Sequence, residues 1–257
     1  MPYTSGKAGL DRFRISRVEL KAGFKMGLRY TTYLESTRHP WPNFLFLTPI
    51  VLAYELIVYF ADSRIREYLR NGADGWMRNM LLEHGVSMYW LPPVLLLAFY
   101  GLQSFLRWWS RPCENMETIT GMILESGIFG MALWLVAGIW NKGFLSSGMD
   151  ASGGTSLAWV TYLGAGIYEE ALFRLFALQV LFLMVPGKIF PSIPTAFIVS
   201  SVLFALAHHW GTQGEPIHVG VFLFRALAGL YFCFIYLFRG FGIAVGAHII
   251  YDFIVSI

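Results

Sequence analysis

The stretch GAGIYEEALFRLFALQVLFLMVP runs from Gly164 to Pro186. It is apolar over most of its length. At 1.5 Å per residue it is long enough to cross the ~30 Å hydrocarbon layer of a bilayer. Yet it holds Glu169, Glu170 and Arg174. A charge at the bilayer centre costs roughly 2.5–3.5 kcal/mol on insertion scales, so each of these groups needs a partner, a water-filled cavity or neutralisation. Glu170 and Arg174 are four apart with the acid first, the favourable order for an ion pair along a helix. Neighbouring helix positions diverge by about 100°, so Glu169 points elsewhere, away from that pair. An acid placed in this way suits general-base chemistry.

The rest of the chain agrees with a membrane setting. Its 257 residues are 56% hydrophobic, 17% aromatic and only 14% charged, with a mean hydropathy of +0.55. Soluble domains carry nearer a quarter charged residues. The fold expected is an all-α, polytopic membrane helical bundle of about seven (six to eight) transmembrane helices. Spans are expected at roughly 44–60, 88–106, 121–140, 156–185, 192–209, 217–238 and 241–257, with a short interfacial helix in the connection 61–87. Residues 1–43 form a basic N-terminal arm, cytoplasmic or lying on an anionic membrane surface. Residues 44–155 supply N-terminal transmembrane helices and residues 156–257 a catalytic core. A net charge of +3 is too small to argue for nucleic acid. Cys113 and Cys233 have neither disulfide nor zinc-site spacing.

Two further spans carry polar pairs at helical spacing. Phe204 and His208 lie four apart in "FALAH". His248 and Asp252 lie four apart in "HIIYD", where the carboxylate can accept from the imidazole and fix its tautomer. A lone histidine in a helix is more often a packing residue, but three consecutive polar constellations, each within a core span, are harder to assign to packing. Glu55, in "VLAYELIVYF", is a further acid in a span and is open between the same cavity and a contact with another helix. Arg225 can pair with an acid, bind a substrate carboxylate or reach a headgroup.

The residues resemble a known family at this point. "EEALFR" matches EExxxR, "FALAH" matches FxxxH, and "HIIYD" matches HxxxD/N of the CAAX protease and bacteriocin-processing enzymes, intramembrane endopeptidases that include the Ras-converting CAAX proteases. The resemblance covers roughly residues 156–257. It implies a glutamic-type endopeptidase with no covalent intermediate. Glu169 would activate water, Glu170 and Arg174 support it, and His208 position the water. His248 and Asp252 would serve the oxyanion or orient one another. Phe204 and Arg225 are the substrate-binding candidates. Position 252 is Asp where many members have Asn, and an ionised Asp cannot donate to an oxyanion.

The resemblance implies no cofactor. The alternative is zinc held by Glu169, His208 and His248, as in His₂Glu metalloproteases, although no HExxH is present. A non-proteolytic bacteriocin-immunity or binding protein, or a transporter, is the alternative from another class, since intramembrane acids also mark proton pathways. The partners expected are a membrane-associated protein or peptide substrate and the lipid bilayer. The location expected is a bacterial or archaeal inner membrane. The basic arm before the first span favours a cytoplasmic N-terminus, which opens the site toward the non-cytoplasmic side. Arg64, Arg66, Arg70 and Arg78 in the connection 61–87 argue against that orientation.

Overall fold

The computed structural model describes residues 33–70, 72–112, 115–144, 157–184, 192–210 and 214–256. All the regular structure among them is helical. Helix α1 spans Pro40–Phe60, α2 Ser63–Leu69, α3 Gly72–Glu83, α4 Leu91–Leu106 and α5 Asn115–Phe144. Next come α6, Ala158–Gly164, and α7, Leu178–Met184, separated by two π-helical turns at Ala165–Glu169 and Ala171–Ala177. Helices α8 (Ser192–Ala207), α9 (Val219–Arg239) and α10 (Phe241–Val255) complete the bundle. Most of the basic arm, residues 1–32, lies outside the described residues.

Each of the expected apolar segments is helical over most of its described length, with ends such as 88–90, 208–209 and 217–218 outside the helices. Residues Pro40–Phe60, Asn115–Trp140 and Val219–Arg239 are long and apolar enough to cross a membrane, while Leu91–Leu106, Ile193–Ala207 and Phe241–Val255 are shorter apolar helices. Large apolar side chains point outward all round the bundle: Leu106, Ile139 and Leu183 are 71%, 75% and 88% exposed. Such a surface is a liability in water and is what lipid requires. The chain is a membrane helical bundle.

Two local differences from expectation matter. The connection 61–87 holds two short helices, α2 and α3, not one. The segment 156–185 is not a single tilted helix. Its middle is π-helical, a form found mostly as short insertions at functional sites. Hydropathy has no signature for this, because an α turn and a π turn are equally apolar.

Helix α1 opens on Pro40, whose missing N–H would be unpaired there in any case. The His39 Nδ1 atom caps the Trp41 N–H at 3.2 Å. The last two helices, α9 and α10, are joined at Gly240, which has φ +101°, a conformation that favours glycine. Arg239, at the end of α9, forks onto Glu125 of α5 at 2.8 and 2.9 Å.

The pairing of α10 with α5 fixes the height of the site residues on α10. It is a close approach through small residues, as is usual between helices in lipid. A Cβ on Gly246 would lie 2.3 Å from Ser126 Oγ, and one on Gly130 would lie 2.9 Å from the Ala247 carbonyl oxygen. Gly246→Val is therefore expected to destabilise the bundle by about 1–3 kcal/mol through overpacking, read as a lowered thermal unfolding midpoint of the purified protein.

Candidate active site

The site is built from three parts of the chain. Glu169 ends the first π turn, Glu170 follows it and Arg174 lies in the second. His208 sits just past the end of α8, one turn beyond Phe204. His248 and Asp252 share a face of α10.

The floor of the site is dry. Glu170 and Arg174 are fully buried, and Arg174 Nε lies 3.1 Å from Glu170 Oε2. Neither atom meets hydrogen-bond geometry there, so the contact is an ion pair held by proximity. The Arg174 Nη2 group donates to the Gly229 carbonyl of α9 at 3.1 Å. Its guanidinium lies over the rings of Phe204, 4.7 Å away, and Phe232, 5.4 Å away, contacts of the cation–π kind. Gly229 also lets α9 pack closely on α8, since a Cβ there would meet Ser201 Cα at 3.0 Å. Glu170 also reaches α10, with its Oε1 2.8 Å from His248 Nδ1. The His248 ring stacks on Phe232, with centroids 4.7 Å apart and planes at 14°.

The mouth of the site is wetter. The side chains of Glu169, His208 and Asp252 keep 13%, 25% and 23% of their surface exposed. Glu169 Oε2 lies 3.7 Å from His208 Nε2 and 3.8 Å from His248 Nε2. Both separations exceed a direct hydrogen bond and match what a single bridging water spans. His208 Nδ1 is 2.8 Å from the Phe204 carbonyl oxygen. A carbonyl only accepts, so Nδ1 carries the proton and a neutral His208 turns its Nε2 lone pair toward Glu169.

Six of the residues singled out in the sequence thus converge: Glu169, Glu170, Arg174, His208, His248 and Asp252. The i,i+4 spacing offered Asp252 as the acceptor that fixes the imidazole, but the hydrogen-bond contact comes from Glu170, at Nδ1. The Asp252 Oδ2 atom is instead 3.6 Å from Nε2. Phe204 is buried at 3% exposure, edge-on to Phe173, His208 and His248. Arg225 forks onto Glu215 at 2.8 and 2.9 Å. Those hydrogen bonds hold the Glu215 carboxyl below the usual carboxylate range, and the Glu215 N–H donates to the His208 carbonyl at 3.0 Å. Among the described residues no group of three His, Cys, Asp or Glu side chains converges as metal ligands do.

One group beside the site escaped the sequence reading. Tyr168, next to Glu169, reaches Glu55 of α1, and Glu55 is paired with arginines of the 61–87 connection. Part of the signal was present: Asp74 and Arg78 are four apart and share one face of α3. Arg70 joins them from the end of α2.

Residues 151–254 match the family model described as type II CAAX prenyl endopeptidase Rce1-like. All six converging residues lie inside that match. The family resemblance carried by the three motifs is borne out over this segment, and residues 1–150 lie outside it. No curated protein and no solved structure matches the chain.

Proposed function

We propose that the chain, Rce1-like over residues 151–254, is an intramembrane endopeptidase of glutamic type that hydrolyses a peptide bond of a membrane-associated substrate. The family supports the coarse class, a CAAX-type membrane protease. The observation that carries the finer reading is the placement of Glu169 Oε2 3.7 and 3.8 Å from the Nε2 atoms of two histidines on different segments.

A water between them can give one hydrogen bond to His208 Nε2 and its reacting proton to Glu169, leaving an oxygen lone pair for the scissile carbonyl. As the C–O bond forms, that proton passes to Glu169 and negative charge builds on the carbonyl oxygen. When the C–N bond breaks, Glu169 returns the proton to the leaving amine, and the second water proton stays with the new carboxyl group. The oxyanion would face His248. Because Nδ1 donates to Glu170, His248 can also donate from Nε2 only when the ring carries both protons. Asp252, close to that edge, would serve as its counter-charge and not as an oxyanion donor.

The test uses the full chain in lipid nanodiscs and a peptide ending in a farnesylated CAAX sequence, with an unprenylated copy as control. Release of the residues after the modified cysteine, followed by mass spectrometry, is the expected result. A zinc reading of Glu169, His208 and His248 predicts loss of turnover on treatment with 1,10-phenanthroline. The glutamic reading predicts a rate unchanged within about twofold, since no Lewis acid is used. Loss of activity with chelator and its return with added zinc would overturn it.

A further inference from the structure

The catalytic carboxylate sits on unusual backbone. Residues 165–169 are a π turn preceded by Gly164 and containing Gly166. Such a turn is rare and intrinsically less favourable than an α turn, and glycine adds backbone freedom. A water-activating group must nevertheless be held to within a fraction of an ångström. On the C-terminal side Glu170 is clamped by Arg174 and His248. A second clamp lies on the N-terminal side, where residues outside the Rce1-like segment hold Tyr168 and Gly164.

That clamp is a buried ionic cluster. Glu55 and Asp74 are 1% and 0% exposed. Arg78 Nη2 lies 2.7 Å from Glu55 Oε1, and Arg78 Nε lies 2.6 Å from Asp74 Oδ1. Arg70 pairs with Asp74 and lies 3.7 Å from Glu55 Oε2. Two carboxylates thus balance two guanidiniums, and Tyr89 closes the group through its hydroxyl to Arg70 and its carbonyl to Arg78. The cluster grips the catalytic helix at two points. The Tyr168 hydroxyl donates to Glu55. The Tyr54 ring, tethered through its hydroxyl to Asp74 at 2.9 Å, packs so tightly on Gly164 that a Cβ there would lie 2.7 Å from it.

We infer that the Glu55–Arg78–Tyr168 cluster is a positioning device for Glu169, by which α1 and α3 of the N-terminal half fix the π turn that carries the catalytic acid. None of the three residues faces the water that Glu169 would activate; they act through the backbone of residues 164–169. The role rests on the endopeptidase reading, whereas the coupling to the π turn does not.

The decisive variant is Tyr168→Phe, which removes one hydroxyl and leaves Glu55 its arginine. In the full chain in nanodiscs, with the farnesylated CAAX peptide as probe, kcat is expected to fall about 10–100-fold. KM should stay within about twofold and the unfolding midpoint within about 4 °C. Glu55→Gln should lower kcat likewise, and the double variant should be no slower than the worse single, as groups acting through one contact are not additive. Hydrogen–deuterium exchange supplies a readout free of substrate: amides of residues 165–170 should exchange at least about tenfold faster in Tyr168→Phe, with α10 unchanged. An unchanged kcat, a loss confined to KM, or a loss matched by a fall in global stability would overturn the inference. If the wild type does not cleave the probe, the endopeptidase reading fails for that substrate and exchange alone decides: faster exchange at 165–170 upholds the coupling, and unchanged exchange ends it.

Discussion

Glu169→Gln in the purified full chain should lower kcat by about 10⁴-fold, the upper end of what a general acid–base contributes. The estimate is high because one carboxyl is asked to act twice, taking the proton from water and returning it to the amine. Gln keeps the shape and can still accept from a water, but it cannot take its proton. KM should hardly move, because the proposed role puts Glu169 at the bond that breaks and not along the rest of the substrate. Stability should be equal or slightly higher, since the change removes a charge from a side chain only 13% exposed. A progress curve with the farnesylated probe, beside a thermal melt of each protein, measures both. Residual turnover above a tenth of wild type, in a sample free of other peptidases, would show that Glu169 is not the base.

The second large effect concerns the neighbouring acid and is chiefly one of stability. Glu170→Leu leaves the Arg174 guanidinium fully buried without its carboxylate, and breaking a buried pair from one side costs about 3–5 kcal/mol. It also frees the Nδ1 edge of His248, so turnover should be lost as well. Adding Arg174→Met separates the two losses. Replacing both partners of a buried pair by apolar groups is often nearly neutral, so the double variant should recover most of the lost stability and none of the lost activity. A Glu170→Leu protein as stable as wild type would mean that the ion pair does not hold the floor of the site. Recovery of turnover in the double variant would mean that His248 needs no acceptor at Nδ1.

What could be read in advance was what lies within one helix. Glu170 with Arg174, Phe204 with His208 and His248 with Asp252 are each four apart, and four apart means one face. The contacts that join these pairs run between segments far apart in the chain, such as Glu170 with His248 and Arg174 with Gly229, and spacing is silent on them. Asp252 therefore looked like the partner that fixes the His248 tautomer, while the actual contact at Nδ1 comes from 78 positions away. The same blindness hid the Glu55 cluster. Counting charges by connection used Arg70 and Arg78 only to judge orientation, whereas their side chains are 8% and 10% exposed and paired inside the bundle. Asp74 and Arg78 lie on α3 and Arg70 caps the end of α2, and all three turn inward, toward an acid that needs them.

The π turns change what a deletion means in this segment. A π turn carries one residue more than the α turn it replaces. Losing a single residue between 165 and 168 would let the helix relax to its ordinary pitch, with little change in length. Everything downstream would keep nearly the same orientation relative to α6, because the extra residue had been taken up within the turn. The Glu170–Arg174 pair would stay where it is. What would be lost is the local widening that aims the acid before it. A sequence comparison that closes such a gap would see an intact pair of acids where the machinery had lost its alignment.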